Sequence, residues 1–129
     1  MPGQTSFDYA VVRVVPRVER EEFMNVGVIV FCRTTQFLEA RVCLDVDRLV
    51  ALSPNTEKNV GSIQAYLDLI PRICAGGLDA GPIGALDRSE RFHWLSAPRS
   101  TVIQTSPIHS GLCDDPKTTL EELFCRLVQ

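Results

Sequence analysis

The stretch from residue 94 to 116, WLSAPRSTVIQTSPIHSGLCDDP, gathers Arg99, Gln104, His109, several hydroxyls and several prolines. Two spacings there would suit catalysis. Ser106 and His109 could serve as nucleophile and base, and His109 and Cys113 as an imidazole and a thiolate. Either pair would also need an orienting third group, and the cysteine an electropositive pocket, which spacing alone does not supply. Zinc would need a fourth ligand beside His93, His109 and Cys113, and no short-spaced cysteine motif is present. No metal is expected. The phosphate-cradling patterns G-x-G-x-x-G and G-K-S/T are missing, so no cofactor is expected either. Two readings of Arg99, Ser100, Gln104, Ser106 and His109 stay open. They could together bind an anion or a peptide backbone, or they could pin irregular loops. Pinning is the reading we favour.

Three more polar residues stand out near the start. Arg13 and Asn25 interrupt runs that are otherwise apolar, and Glu22 lies between them. Buried polar groups need partners, so Arg13 is expected to pair with a carboxylate, Glu22 first. The alternative is that Arg13 projects from its strand toward a ligand. Gly27 reads as a point of close packing rather than a phosphate loop. In RFHWL, residues 91–95, a cation, two aromatics and a histidine could stack on unpaired bases. We read Phe92 and Leu95 there as core, Arg91 as solvated and Trp94 as sealing the core edge. Thirteen basic against sixteen acidic side chains give a net charge of −3, which argues against nucleic acid as a partner of the segment 88–99.

These residues need a scaffold. Residues 8–16, 24–32 and 37–44 carry β-branched or alternating patterns and predict a three-stranded antiparallel meander. In the third strand Leu38, Ala40, Val42 and Leu44 face one way, with Glu39 and Arg41 on a wet face. Asp45 is set to cap a short helix ending before Pro54, and Asn55 to open a longer one. Its stripe is Val60, Ile63, Leu67, Ile70 and Cys74, closing at Gly76, with Pro71 expected to kink it or end it early. Residues 86–95 predict a short helix. Thr118 and Glu121 fit a capping box for a last one, striped by Leu120, Leu123, Phe124, Leu127 and Val128. The alternation in STVIQTS predicts one further strand beside the meander. The class is α+β: a small antiparallel sheet covered by helices in two layers, as one domain over residues 1–129. Five scattered cysteines without a C-x-x-C pair point to reduced thiols. With no bilayer-length apolar run and no signal-peptide pattern, a cytoplasmic location without membrane association is expected.

Three segments together carry a resemblance: YAVVRVVPRVEREEFMNVGVIVF, RFHWLSAPRSTVIQTSPIHSGL and DPKTTLEELF. They resemble a bacterial family catalogued as domain of unknown function 3037, over nearly the whole chain. The resemblance carries no activity or catalytic residue. It implies a shared site drawn from Arg13, Glu22, Asn25, Arg99, Ser100, Ser106 and His109. It also implies association with HipA-like kinases, beside whose genes members are often encoded. The expectation is therefore an interaction module that is not an enzyme, with a protein partner. A binder or enzyme for a phosphorylated small molecule or nucleotide, using Arg99, His109 and Arg13, is the alternative.

Overall fold

The computed structural model describes residues 4–17, 20–98 and 101–129. Three β-branched segments pair as a meander: β1 (Thr5–Val14), β2 (Met24–Cys32) and β3 (Phe37–Val42). Both pairings are antiparallel, and a bulge lies opposite Val12 and Arg13. The free side of β1 is filled by two short strands running the same way. Residues of β4 (Ile103–Thr105) pair with Val12 to Val14, and residues of β5 (His109–Cys113) pair with Thr5 to Tyr9. The sheet order is thus β3-β2-β1, with β4 and β5 sharing the far edge.

Strand alternation sends side chains to two faces, and each face has its own core. On one, Val12, Val14, Val26, Ile29, Phe31 and Leu38 pack against helices. These are α1 (Val46–Leu52), α2 (Val60–Ala75) and α3 (Arg88–Ser96). The α2 stripe of Ile63, Leu67, Ile70 and Cys74 is buried as expected, together with Ile73. Burying a side chain the size of Phe92 or Leu67 stabilises the fold by about 1.5–3 kcal/mol relative to leaving it exposed. On the other face Val28, Val30 and Cys32 meet Leu120 and Leu123 of α4 (Pro116–Leu127).

The α+β class and the antiparallel sheet are those read from the sequence, but helices cover both faces rather than one. The reason lies first in Val28, Val30 and Cys32, which make the second face of β2 apolar, and then in Glu39 and Arg41. Their face is not simply wet, because Lys117 bonds Glu39 at 2.9 Å and Glu121 pairs with Arg41. The Arg41 guanidinium also lies 4.5 Å over the Phe124 ring. These half-exposed pairs flank a contact that is mainly apolar, Leu120 and Leu123 on Val28, Val30 and Cys32.

Helix termini follow side-chain chemistry. Asp45 accepts from the Arg48 amide at 3.1 Å, as its sequence position predicts. Asp87 caps α3 by accepting from the Glu90 amide at 2.8 Å, which holds its carboxyl below the usual range. The expected capping box is replaced one turn earlier. Asp115 is the N-cap of α4, Thr118 donates its hydroxyl to Asp115, and Glu121 is drawn to Arg41. Residues before α2 form a 3-10 turn, Pro54–Asn59, so the long helix begins at Val60 rather than Asn55. It runs past Pro71 to Ala75, carried by the buried Ile73 and Cys74. Gly27 is a packing glycine, as expected: a Cβ there would lie 2.7 Å from Val42 Cγ1 and 2.9 Å from the Arg41 carbonyl. Among the described residues no helix is long and apolar enough to cross a membrane.

Candidate functional site

Ser106 sits where β4 breaks from β5, and it holds the break closed. Its amide donates to the Val11 carbonyl at 2.8 Å. Its hydroxyl accepts from the Val11 amide at 2.9 Å and donates to the Pro107 carbonyl at 2.9 Å. A side-chain oxygen therefore replaces the carbonyl that an unbroken strand would offer β1. The residue is 3% exposed and its hydroxyl is bonded on both sides, to the Val11 amide and the Pro107 carbonyl. His109 does not meet it. That imidazole is exposed and stacks on Tyr9, its cross-strand partner, with ring centroids 5.2 Å apart. Arg99 and Ser100 lie outside the described residues.

Arg13, Asn25 and Gln104 form a row across three strands, since Arg13 is the Cα partner of both the others. The row faces away from the core of Val12 and Val14, on the side of α4. The expected Arg13–Glu22 pair is not formed. Arg20, in the same hairpin loop, takes Glu22 through Nε at 2.6 Å. Arg13 instead lies 4.2 Å over the ring of Phe23, a cation–π contact, and its buried Nε has no hydrogen-bond partner. Asn25 donates to the Leu127 carbonyl at 3.1 Å, tying down the end of α4, while its Oδ1 is buried and unsatisfied. Gln104 donates to the Thr101 carbonyl at 2.8 Å. Of the eight residues picked from the sequence, the structure gathers these three on one face. His109 lies further along the same side of β1 beside Tyr9, and Glu22 and Ser106 serve elsewhere.

A different feature offers a surface to a ligand. β3 is the last strand of the sheet, and its ladder to β2 tells which backbone groups are free. The Cys43 amide donates to the Val26 carbonyl, so residues 43, 41, 39 and 37 direct their N–H and C=O groups at β2. Leu38, Ala40 and Val42 then direct theirs outward, from an edge with no strand beside it among the described residues. Along this edge runs a groove of about 420 Å³. Residues 36–40 form one side, with Pro71, Cys74 and Ala75 of α2 and Arg88 of α3 completing it. The lining is mixed: Pro71, Cys74 and Ala75 make the α2 side apolar, while Gln36, Glu39 and Arg88 are polar. Burial pushes the Cys74 thiol up to about 12, so it stays neutral. Glu39 is engaged by Lys117. Pro71 has no N–H, so α2 leaves the Leu67 carbonyl without its usual helical donor.

Beside this groove α3 carries an arginine that the sequence misplaces. Arg91 is 7% exposed, not solvated. Its Nη1 occupies the space that a Cβ on Gly76 would fill, at 1.8 Å from that position, and Gly76 also adopts φ 77°. A glycine is required there twice over. The guanidinium thus sits at the C-terminal end of α2, where a positive charge is favoured. A broader cleft of about 670 Å³ lies between Ser62 and Tyr66 of α2 and residues 101–103. Among the described residues no three His, Cys, Asp or Glu side chains gather to hold a metal.

The sequence reading placed no candidate on β3 or α2. The available signal was positional: β3 is the final strand of the meander and is followed by helices, which leaves its outer side unpaired. In the sequence Arg88 stands out only as part of the basic–aromatic segment 88–99.

The fold and groove define an α+β protein with an open-edged sheet whose edge strand faces a helix. The family model described as "Protein of unknown function (DUF3037)" matches residues 9–128, and the chain belongs to that family. No curated protein and no solved structure matches it significantly.

Proposed function

We propose that this protein is a binding module without catalytic chemistry of its own, which captures an extended segment of a partner protein as a new strand beside β3. The observation that carries this reading is the groove itself. It puts the outward backbone groups of Leu38 and Ala40 next to an apolar wall from α2. Strand addition uses those two elements: main-chain hydrogen bonds supply affinity and flanking pockets select alternate side chains. The engagement of Ser106 by Val11 and Pro107 favours binding over catalysis. The family resemblance makes a HipA-like kinase the first partner to try, in the cytoplasm.

The test is calorimetric titration of the full chain with a purified HipA-like kinase, using two groove variants. Ala40→Pro removes an outward N–H while leaving the ladder to β2 intact, a substitution that edge strands tolerate. Ala75→Trp fills the groove from an exposed helix position. Binding by the parent chain and loss in both variants, with folding retained by circular dichroism, is the expected result. Undiminished binding by Ala75→Trp overturns it.

A further inference from the structure

We infer that the segment captured beside β3 carries an acidic side chain, received by Arg88. The inference rests on the strand-addition reading and adds the chemistry of the partner. Three observations point the same way. Arg88 lines the groove and is exposed, and none of the three ion pairs among the described residues uses it. Arg91, one turn further along α3, places a second guanidinium beside Gly76, immediately after the groove residue Ala75. Arg91 is buried and its Nε has no hydrogen-bond partner, so its charge is poorly screened by solvent. Finally, the acid that lines the groove, Glu39, is already held by Lys117 at 2.9 Å. The local acids on α3 are also accounted for. Asp87, bonded to the Glu90 amide, keeps its negative charge close to Arg91 and Arg33, and neither Asp87 nor the exposed Glu90 lines the groove.

Within the groove lining Glu39 is paired and Arg88 is in none of the ion pairs, so Arg88 is the charge left for a ligand although the chain as a whole carries −3. A segment bearing a carboxylate complements it, and a basic segment is disfavoured. The geometry suits a side-chain carboxylate rather than a chain terminus. A terminal carboxylate held by main chain calls for converging backbone amides, whereas the groove offers one exposed guanidinium on a flexible stem.

The experiment is an amide-resolved NMR titration of the full chain, following Leu38 and Ala40. The probes are N-acetylated, C-amidated hexapeptides of alternating valine and threonine, each with one glutamate at a different position. A matched set carries glutamine, and one glutamine peptide keeps its free C-terminal carboxylate. Glutamate at one position should tighten binding about two- to fivefold, the range of a solvent-accessible ion pair. Arg88→Gln should abolish that preference without abolishing binding, and 0.5 M NaCl should shrink it. Equal binding of the glutamate and glutamine sets overturns the acidic-partner inference and leaves strand addition standing. So does a preference that survives Arg88→Gln, or one that moves to the free-carboxylate peptide. If no peptide perturbs Leu38 or Ala40 at millimolar concentration, both the inference and the strand-addition reading fall.

Discussion

Replacing Ser106 by alanine isolates the one side chain that keeps β1 hydrogen-bonded across the break between β4 and β5. The Val11 amide is buried and its acceptor is the Ser106 hydroxyl at 2.9 Å. Alanine offers no oxygen, and the 3% exposure of the site gives water little access. An orphaned buried amide costs about 1–3 kcal/mol. The lost donation to Pro107 adds little, since Pro107 is exposed and its carbonyl can turn to solvent. For a domain of this size each kcal/mol moves Tm by about 4 °C, so Ser106→Ala should melt about 4–12 °C lower. Circular dichroism melts, with urea titrations to confirm two-state behaviour, measure it. Ser110→Ala is the matched control: it breaks the exposed Ser110–Asp8 bond and should cost no more than about 0.5 kcal/mol. A Ser106→Ala melt within 2 °C of the parent would refute the pin. So would a normal melt accompanied by lost binding, which would return Ser106 to the list of ligand contacts.

Other consequences follow from the same contacts. Glu22→Ala should shift Tm by less than about 4 °C, because it breaks only a half-exposed pair with Arg20 worth no more than about 1 kcal/mol; a large loss would mean that Arg13 depends on Glu22 after all. Gly27→Ala should destabilise by about 1–3 kcal/mol in urea titrations, since its methyl group would press on the Arg41 carbonyl and Val42, and a neutral result would contradict that packing. The Cys74 thiol is held protonated to about pH 12 in the fold but ionises near 9 when unfolded. Its contribution to stability is therefore complete below pH 9 and is lost as pH rises from 9 to 12. Urea midpoints measured across that range should fall less steeply in Cys74→Ala, and parallel curves would argue against the burial. Under iodoacetamide at neutral pH, Cys43 and Cys125 should label first, being exposed, with Cys32, Cys74 and Cys113 following only on unfolding.

Patterning made the scaffold legible. The meander, the Asp45 cap and the α2 stripe all follow from local periodicity and capping chemistry, which tertiary context here reinforces. What the sequence hid were properties that depend on partners distant along the chain. β5 was missed because HSGLC has neither alternation nor β-branched residues. It becomes a strand by pairing with β1, with Gly111 close against the Phe7 ring. Glu39 and Arg41 looked solvated because a charge pattern cannot distinguish water from the charges of α4. Arg91 looked solvated for the same reason, whereas Gly76 opens a slot that buries it. The binding residues were harder still. Polar side chains attract notice in a sequence, but Ser106 and Asn25 spend theirs on backbone. The groove beside β3 depends on which strand lies at the edge and which carbonyls and amides face outward, and no residue type announces that.

Hydrogen exchange at β3 tests strand addition most directly. In the free chain the amides of Leu38, Ala40 and Val42 point away from β2 and should exchange faster than those of Glu39 and Arg41, which are bonded within the sheet. With a HipA-like kinase bound, or with the glutamate peptide where the kinase does not bind, Leu38 and Ala40 should become protected while the amides already paired to β2 change little. Protection confined to β5 or to the Arg13 face, with Leu38 and Ala40 still exchanging freely, would contradict the account.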